Sequence, residues 1–306
     1  MIEMMYKRRQ SEPPQHILSP ERSGAFLMTD INSRTEAYLR RLGFDSDFIL
    51  QLAEQRGGPA KVLSDLQYAH VCHVPYETLD ILAGVPFTLD VEAVYDKVVT
   101  RGRGGYCFEL NGLFCWLLTQ LGYAPEQRFA RFLREETQIP MRRHRVLKVE
   151  AEGRFYLCDV GVGGIAPRWP ILLEEGLEQP QGEECYKISV EPFLGWVLWE
   201  RHHGQWRKLF SFTEEPQLDV DFVTVDYYCQ NAPDSHFRTQ AMAAIRTPDG
   251  RNTLAGDEFR LFRGEQVTAF IPQTRAEYLE SLEKYFGIRL DPRLVQPSAP
   301  FLPSAR

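Results

Sequence analysis

The spacing of apolar residues switches from a helical to a strand period partway along this chain, and that switch limits what it can fold into. From Asn32 to Leu121 the spacing is helical. TEAYLRRLGF carries Tyr38, Leu39 and Leu42 on one stripe and stops at Gly43. VLSDLQYAHVCHV repeats Leu63, Leu66, Val71 and Val74 ahead of Pro75, and the run after Cys107 puts Leu110, Leu113, Phe114, Leu117 and Leu121 on one face before Gly122. From about Pro125 to Val225 the period becomes that of strands with turn punctuation, as in YKISV, GWVLWE and QWRKLFSF. Beyond Asp226, short strands around TPDG and FRLFRGE accompany one helix, AEYLESLEKYFG, closed by Gly287. The expectation is an α+β protein: residues 28–122 helical, residues 123–225 a sheet or small barrel, and residues 226–306 mixed. Residues 1–27 lack apolar periodicity and read as a disordered extension, with Met28 available as a second start. The stretch from Pro292 to Arg306, with its four prolines, reads as a loose tail.

With 306 residues, 43% hydrophobic and 25% charged, the chain can bury a substantial core. A net charge of −7 argues against nucleic acid or an anionic membrane as the main partner. No run approaches the about 18 apolar residues of a membrane span, and the charged, proline-bearing start does not read as a secretory signal. Six cysteines without a CxxC pair predict reduced thiols and a cytoplasmic setting. A homo-oligomer is compatible with this composition.

One cysteine stands apart. In RGRGGYCFELNG, two glycines and an aromatic residue lead directly into the helical pattern, which places Cys107 at a helix N-terminus. Unpaired N–H groups and the positive end of the helix dipole there are expected to favour the thiolate. His144 opens the strand-like run HRVLKVEA, and Asp159 closes RFYLCDV. If Glu152-Gly153 forms a two-residue hairpin turn, Ala151 opposes Arg154, Val146 opposes Asp159, and His144 lies diagonally from Asp159 on the same face. A turn one residue earlier would oppose His144 and Asp159 directly. Either register lets the carboxylate reach the imidazole, giving a nucleophile, a base and an orienting acid. Taken singly each residue has a plainer reading: a lone cysteine at a helix start is more often a small buried hydrophobe, as is expected of Cys72, Cys115, Cys158, Cys185 and Cys229. Their convergence shifts the balance.

RGGYCFELNGLF (Arg103 to Phe114), HRVLKVEAEGRFYLCDVGVGG (His144 to Gly164), AYLRRLGF, HVPYETLDI (His73 to Ile81) and NAPDSHF resemble the arylamine N-acetyltransferases, across roughly Asn32 to Arg289. The resemblance implies a helical N-terminal domain, a β-barrel middle domain and an α/β lid, with a Cys-His-Asp core related to those of transglutaminases and papain-like cysteine proteases. It implies that Cys107 accepts acetyl from acetyl-CoA, used as a co-substrate without a metal, that His144 is the base and that Asp159 orients it. The acceptor would be an aromatic amine, hydrazine or hydroxylamine, in a ping-pong exchange.

Tyr76 and Val162 fall where the family places pocket phenylalanines. The added hydroxyl and the lost aromatic wall are expected to alter acceptor preference. Gly163 and Gly164 are expected beside the pantetheine arm, and Ser235 and His236 near CoA. For Arg103 the expected partner is Glu109 or another carboxylate, and Arg101 is a candidate for phosphate or acidic groups. Two rivals share the triad: an amide synthase carrying a larger polyketide acyl chain, and a cysteine hydrolase.

Overall fold

The computed structural model describes residues 31–53, 57–134, 136–202 and 204–290. The extension expected over residues 1–27 and the tail expected from Pro292 lie outside them. Helices α1 (Ser33–Arg41), α2 (Ser46–Ala53) and α3 (Pro59–His73) open the fold, followed by strand β1 (Tyr76–Glu77) and the short helices α4 (Leu79–Leu82) and α5 (Val91–Tyr95). A π-helical turn, Asp96–Thr100, continues α5 and leads to α6 (Cys107–Gln120). The apolar face of α6 explains its place. Leu110, Leu113, Phe114 and Leu117 are at most 1% exposed and pack in one cluster with Leu39, Leu63 and Leu66 and with Leu147 and Val149 from the neighbouring strand. Full burial of each such side chain contributes roughly 1.5–3 kcal/mol.

Strands β2 (Glu126–Phe132), β3 (His144–Ala151), β4 (Arg154–Cys158), β5 (Ile171–Leu172), β6 (Gln179–Gln181), β7 (Glu184–Glu191), β8 (Gly195–His202) and β9 (Gln205–Phe212) form an antiparallel sheet in the order β5-β4-β3-β2-β9-β8-β7-β6. The sheet curls until its two edges meet. They are joined by side chains: Gln179 accepts from Leu172 N at 2.8 Å and donates to Leu172 O at 3.0 Å, and Gln181 does the same with Trp169 at 3.0 and 2.9 Å. Val146, Leu157, Leu198, Phe210 and Phe212 fill its inner cluster.

Helix α7 (Phe222–Asn231) leads to strands β10 (Met242–Thr247), β11 (Gly250–Ala255), β12 (Glu258–Arg263) and β13 (Gln266–Phe270), backed by α8 (Arg275–Phe286). Thr274 caps α8 by accepting from Glu277 N at 3.2 Å, and Gly287 ends it with φ at 69°. The helical first third departs from its expected character at one place. Tyr76 and Glu77 pair with Ala244 and Ala243, so β1 becomes the edge of the five-stranded sheet β1-β10-β11-β12-β13. Among the described residues no helix is long and apolar enough to cross a membrane.

Candidate active site

The β3–β4 hairpin turns at Glu152-Gly153, both with positive φ (54° and 72°), as a two-residue primed turn requires. Ala151 pairs with Arg154 and Leu147 with Cys158, so the register is the one that sets Val146 opposite Asp159 and His144 one diagonal step away. His144 Nε2 lies 2.7 Å from Asp159 Oδ2. His144 is 4% exposed and Asp159 1%. The imidazole also packs edge-on against Phe210, with ring centroids 5.3 Å apart. With Nε2 held by the carboxylate, Nδ1 is the ring nitrogen left for a thiol.

Cys107 is the first residue of α6 and is 3% exposed. Its Sγ sits 3.8 Å from Arg143 O, the carbonyl just before His144. The chain after Asp159 closes over it. A Cβ on Gly161 would stand 2.7 Å from Cys107 Cα, so only glycine permits that approach. The expected low thiol pKa is corrected here. Burial, with Cys229 and Asp159 beside it, pushes the thiol well above its ordinary value, and the N–H groups of Arg145 and Phe108 only partly oppose this. The helix N-terminus does not by itself offset burial this deep.

Two residues that the sequence reading passed over hold this geometry. Asn111, one turn after Cys107 on α6 and fully buried, donates to Asp159 Oδ1 at 2.9 Å and to Arg145 O at 2.6 Å, and accepts from Val160 N at 2.9 Å. Gln67 on α3, also fully buried, accepts from Asp159 N at 3.2 Å. Gly161 N supplies Asp159 Oδ1 with a further donor at 2.8 Å. The signal for Asn111 was present: a polar residue four positions from Cys107 on an otherwise apolar helix face.

The remaining site candidates are distributed around this centre. Tyr76 shares an apolar cluster with Cys107, Tyr106 and Cys229, and burial raises its hydroxyl pKa well above the ordinary range. Val162 is half-buried and packs against the helical core. A Cβ on Gly163 would meet the Tyr76 ring and Ala244 at about 3.5 Å, while one on Gly164 would meet Arg251 Cδ and Thr253 Cγ2 at 3.1 Å. Close packing of this turn on β10 and β11 is therefore a sufficient reason for Gly164. Ser235 is 3% exposed and donates to Cys229 O at 2.6 Å, so its hydroxyl is already engaged; His236 is exposed. Arg103 pairs with Glu77 through both 2.7 Å contacts and with Asp80 at 2.9 Å, not with Glu109, whose cation is Lys97 at 2.9 Å. Arg101 pairs with Asp96 at 2.9 Å.

The model of the N-acetyltransferase family matches residues 60–295. Arylamine N-acetyltransferase from Mycobacterium tuberculosis is 35% identical over 235 residues, covering 75% of this chain and 83% of that protein. The chain belongs to the arylamine N-acetyltransferase family. A second relative of this acyltransferase, the arylamine N-acetyltransferase / N-hydroxyarylamine O-acetyltransferase of Salmonella typhimurium, is 34% identical over 234 residues, 74% of this chain and 82% of that one. The solved structure of the Mycobacterium marinum arylamine N-acetyltransferase in complex with CoA superposes with a TM-score of 0.77 at 30% identity, covering 89% of this chain and 98% of that one. Among the described residues no group of His, Cys, Asp and Glu is placed to hold a metal.

Proposed function

We propose that this family member transfers an acetyl group from acetyl-CoA to the nitrogen of an arylamine, arylhydrazine or arylhydroxylamine, through an acetyl-cysteine at Cys107. The observation that carries the reading is the buried His144–Asp159 contact, fixed by Asn111 beside a thiol whose pKa burial raises. Such a thiol needs the base. In the first half-reaction His144 Nδ1 takes the Sγ proton, Sγ attacks the thioester carbonyl, and the bond from carbonyl carbon to CoA sulfur breaks as His144 returns the proton to the leaving thiolate. In the second, the neutral amine attacks acetyl-Cys107, His144 removes a proton from its nitrogen, and Cys107 leaves as the thiol sulfur reprotonated by His144. Asp159 holds Nε2–H throughout and supports the imidazolium. Backbone N–H groups at the start of α6 are suited to the tetrahedral oxyanion.

Tyr76 and Val162 line the acceptor pocket in this reading. Gly163, Gly164 and the exposed His236 flank the CoA arm, and Ser235 shapes that loop through its bond to Cys229 O. The core is accordingly of the transglutaminase and papain type in its division of roles, and the working partners are small molecules in the cytoplasm. Incubation with acetyl-CoA followed by intact-mass measurement should show one acetyl group on Cys107, discharged by added arylamine or hydrazide. Absence of the adduct sinks the reading. An adduct that water alone discharges at the full rate supports the hydrolase instead, and one no amine discharges supports the amide synthase. Cys107→Ala should lose all turnover while Cys115→Ala keeps it.

A further inference from the structure

Behind the nucleophile lies a cluster of five charged side chains, none more than 10% exposed, that the proposed chemistry does not use. Lys97 Nζ is 2.8 Å from Asp80 Oδ2 and 2.9 Å from Glu109 Oε1. Arg103 spans Glu77 and Asp80. Glu109 returns to the nucleophile: its Oε2 accepts from Tyr106 N at 3.0 Å, the amide directly before Cys107. Gly105 exists to let this happen, because a Cβ there would stand 2.8 Å from that same oxygen. The π-helical turn Asp96–Thr100 is what presents Lys97 to this cluster, and π-turns commonly mark positions where a side chain must be re-aimed.

We propose that Lys97 is a positioning residue for the nucleophile: it holds the Glu109 carboxylate in place and balances its charge, so that the first turn of α6 keeps both its geometry and its capacity to carry a thiolate at Cys107. The inference rests on Cys107 being the acyl carrier. Burial works against charge on both partners, raising the Glu109 pKa and opposing the Lys97 ammonium, yet Glu109, Glu77 and Asp80 together hold Lys97 above its ordinary value. Two cations face three carboxylates, a net charge of −1 when all are ionised. Loss of Lys97 alone makes that −2 beside the nucleophile, whereas loss of Lys97 and Glu109 together restores −1. The groups around Cys107 itself are Tyr76 from β1, Tyr106, Cys229 from α7, Asp159 and the Arg143 carbonyl, with His144 bonded to Asp159; these stay constant in that comparison.

The test reads thiolate availability without a donor: the rate of iodoacetamide alkylation of Cys107, followed by mass across pH 6–9. Lys97→Gln should slow alkylation at pH 7 about tenfold and displace the rate profile about one pH unit upward, the size of a single unbalanced charge at partial burial. The double variant Lys97→Gln/Glu109→Gln, in which two amides bond one another, should return to within about threefold of the parent. A folded Lys97→Gln that alkylates at the parent rate overturns the proposal, as does a double variant as slow as the single. Should Lys97→Gln fail to fold, the double variant decides: folded with near-parent alkylation supports the proposal, and folded but slow, or unfolded, overturns it. Acetyl capture is measured separately, so failure of the acetyltransferase reading with a normal alkylation pattern remains distinguishable.

Discussion

His144 and Asp159 meet at 2.7 Å across a diagonal of the β3–β4 ladder rather than face to face. The contact is made by Nε2, and an ionised carboxylate there favours the tautomer with its proton on Nε2.

Asp159→Asn is expected to disable that tautomer without unfolding the protein. Oδ1 accepts from Gly161 N and Asn111 Nδ2, so an asparagine keeps its oxygen there and turns its amide N–H toward His144. Nε2 must then accept, and the ring proton moves to Nδ1. The kcat for arylamine acetylation should fall roughly 10⁴-fold, the cost of a wrong imidazole tautomer in the serine-protease triad, with an unchanged circular-dichroism spectrum.

Asn111→Leu leaves Arg145 O without its 2.6 Å donor and Val160 N without its acceptor. Urea unfolding should show a loss of about 1–3 kcal/mol for the orphaned groups, together with reduced turnover.

Gly161→Ala should inactivate and destabilise, because the new Cβ meets Cys107 Cα and Asn111 Nδ2 at 2.7 Å. Gly153→Asn is the control. Nothing lies within 4 Å of a Cβ there and φ is +72°, a conformation asparagine tolerates, so activity and Tm should stay near the parent's.

Much of this centre was legible beforehand, because a hairpin with a two-residue turn transmits register over its whole length, and Glu152-Gly153 fixed where counting begins. The apolar stripe of α6 likewise set Cys107 at its start. What escaped depends on segments distant in sequence. Two residues of β1 show no periodicity, and their partners, Ala243 and Ala244, belong to the last third of the chain. Thiol ionisation depends on burial by Tyr76, Cys229 and the Asp159 turn, none of which local sequence reveals. Arg103 has several carboxylates within reach on paper; only the folded β1 turn selects Glu77 and Asp80.

Stability should depend on pH through His70. It is fully buried against Phe114, 2.8 Å from Tyr38 OH, and burial lowers its pKa from 6.5 to about 3. The unfolded chain binds the proton first, so stability from this group is present above pH 6.5 and is lost as pH falls toward 3. Differential scanning calorimetry should show Tm declining over that window, and His70→Gln, though less stable at pH 7, should show a shallower decline.

The pairing of Tyr76 with Ala244 also sets a timetable. Tyr76 is bridged on its other side to Gly105, and Glu77 N donates to Gly105 O at 2.8 Å, so the loop before the nucleophile and the C-terminal sheet share one short strand. During synthesis Cys107, His144 and Asp159 are all made before β10 exists. Tyr76 and the loop before Cys107 can therefore take up their final pairing only once translation has passed Thr247, and a nascent chain halted earlier carries Cys107, His144 and Asp159 without the strand that ties this loop to the C-terminal sheet.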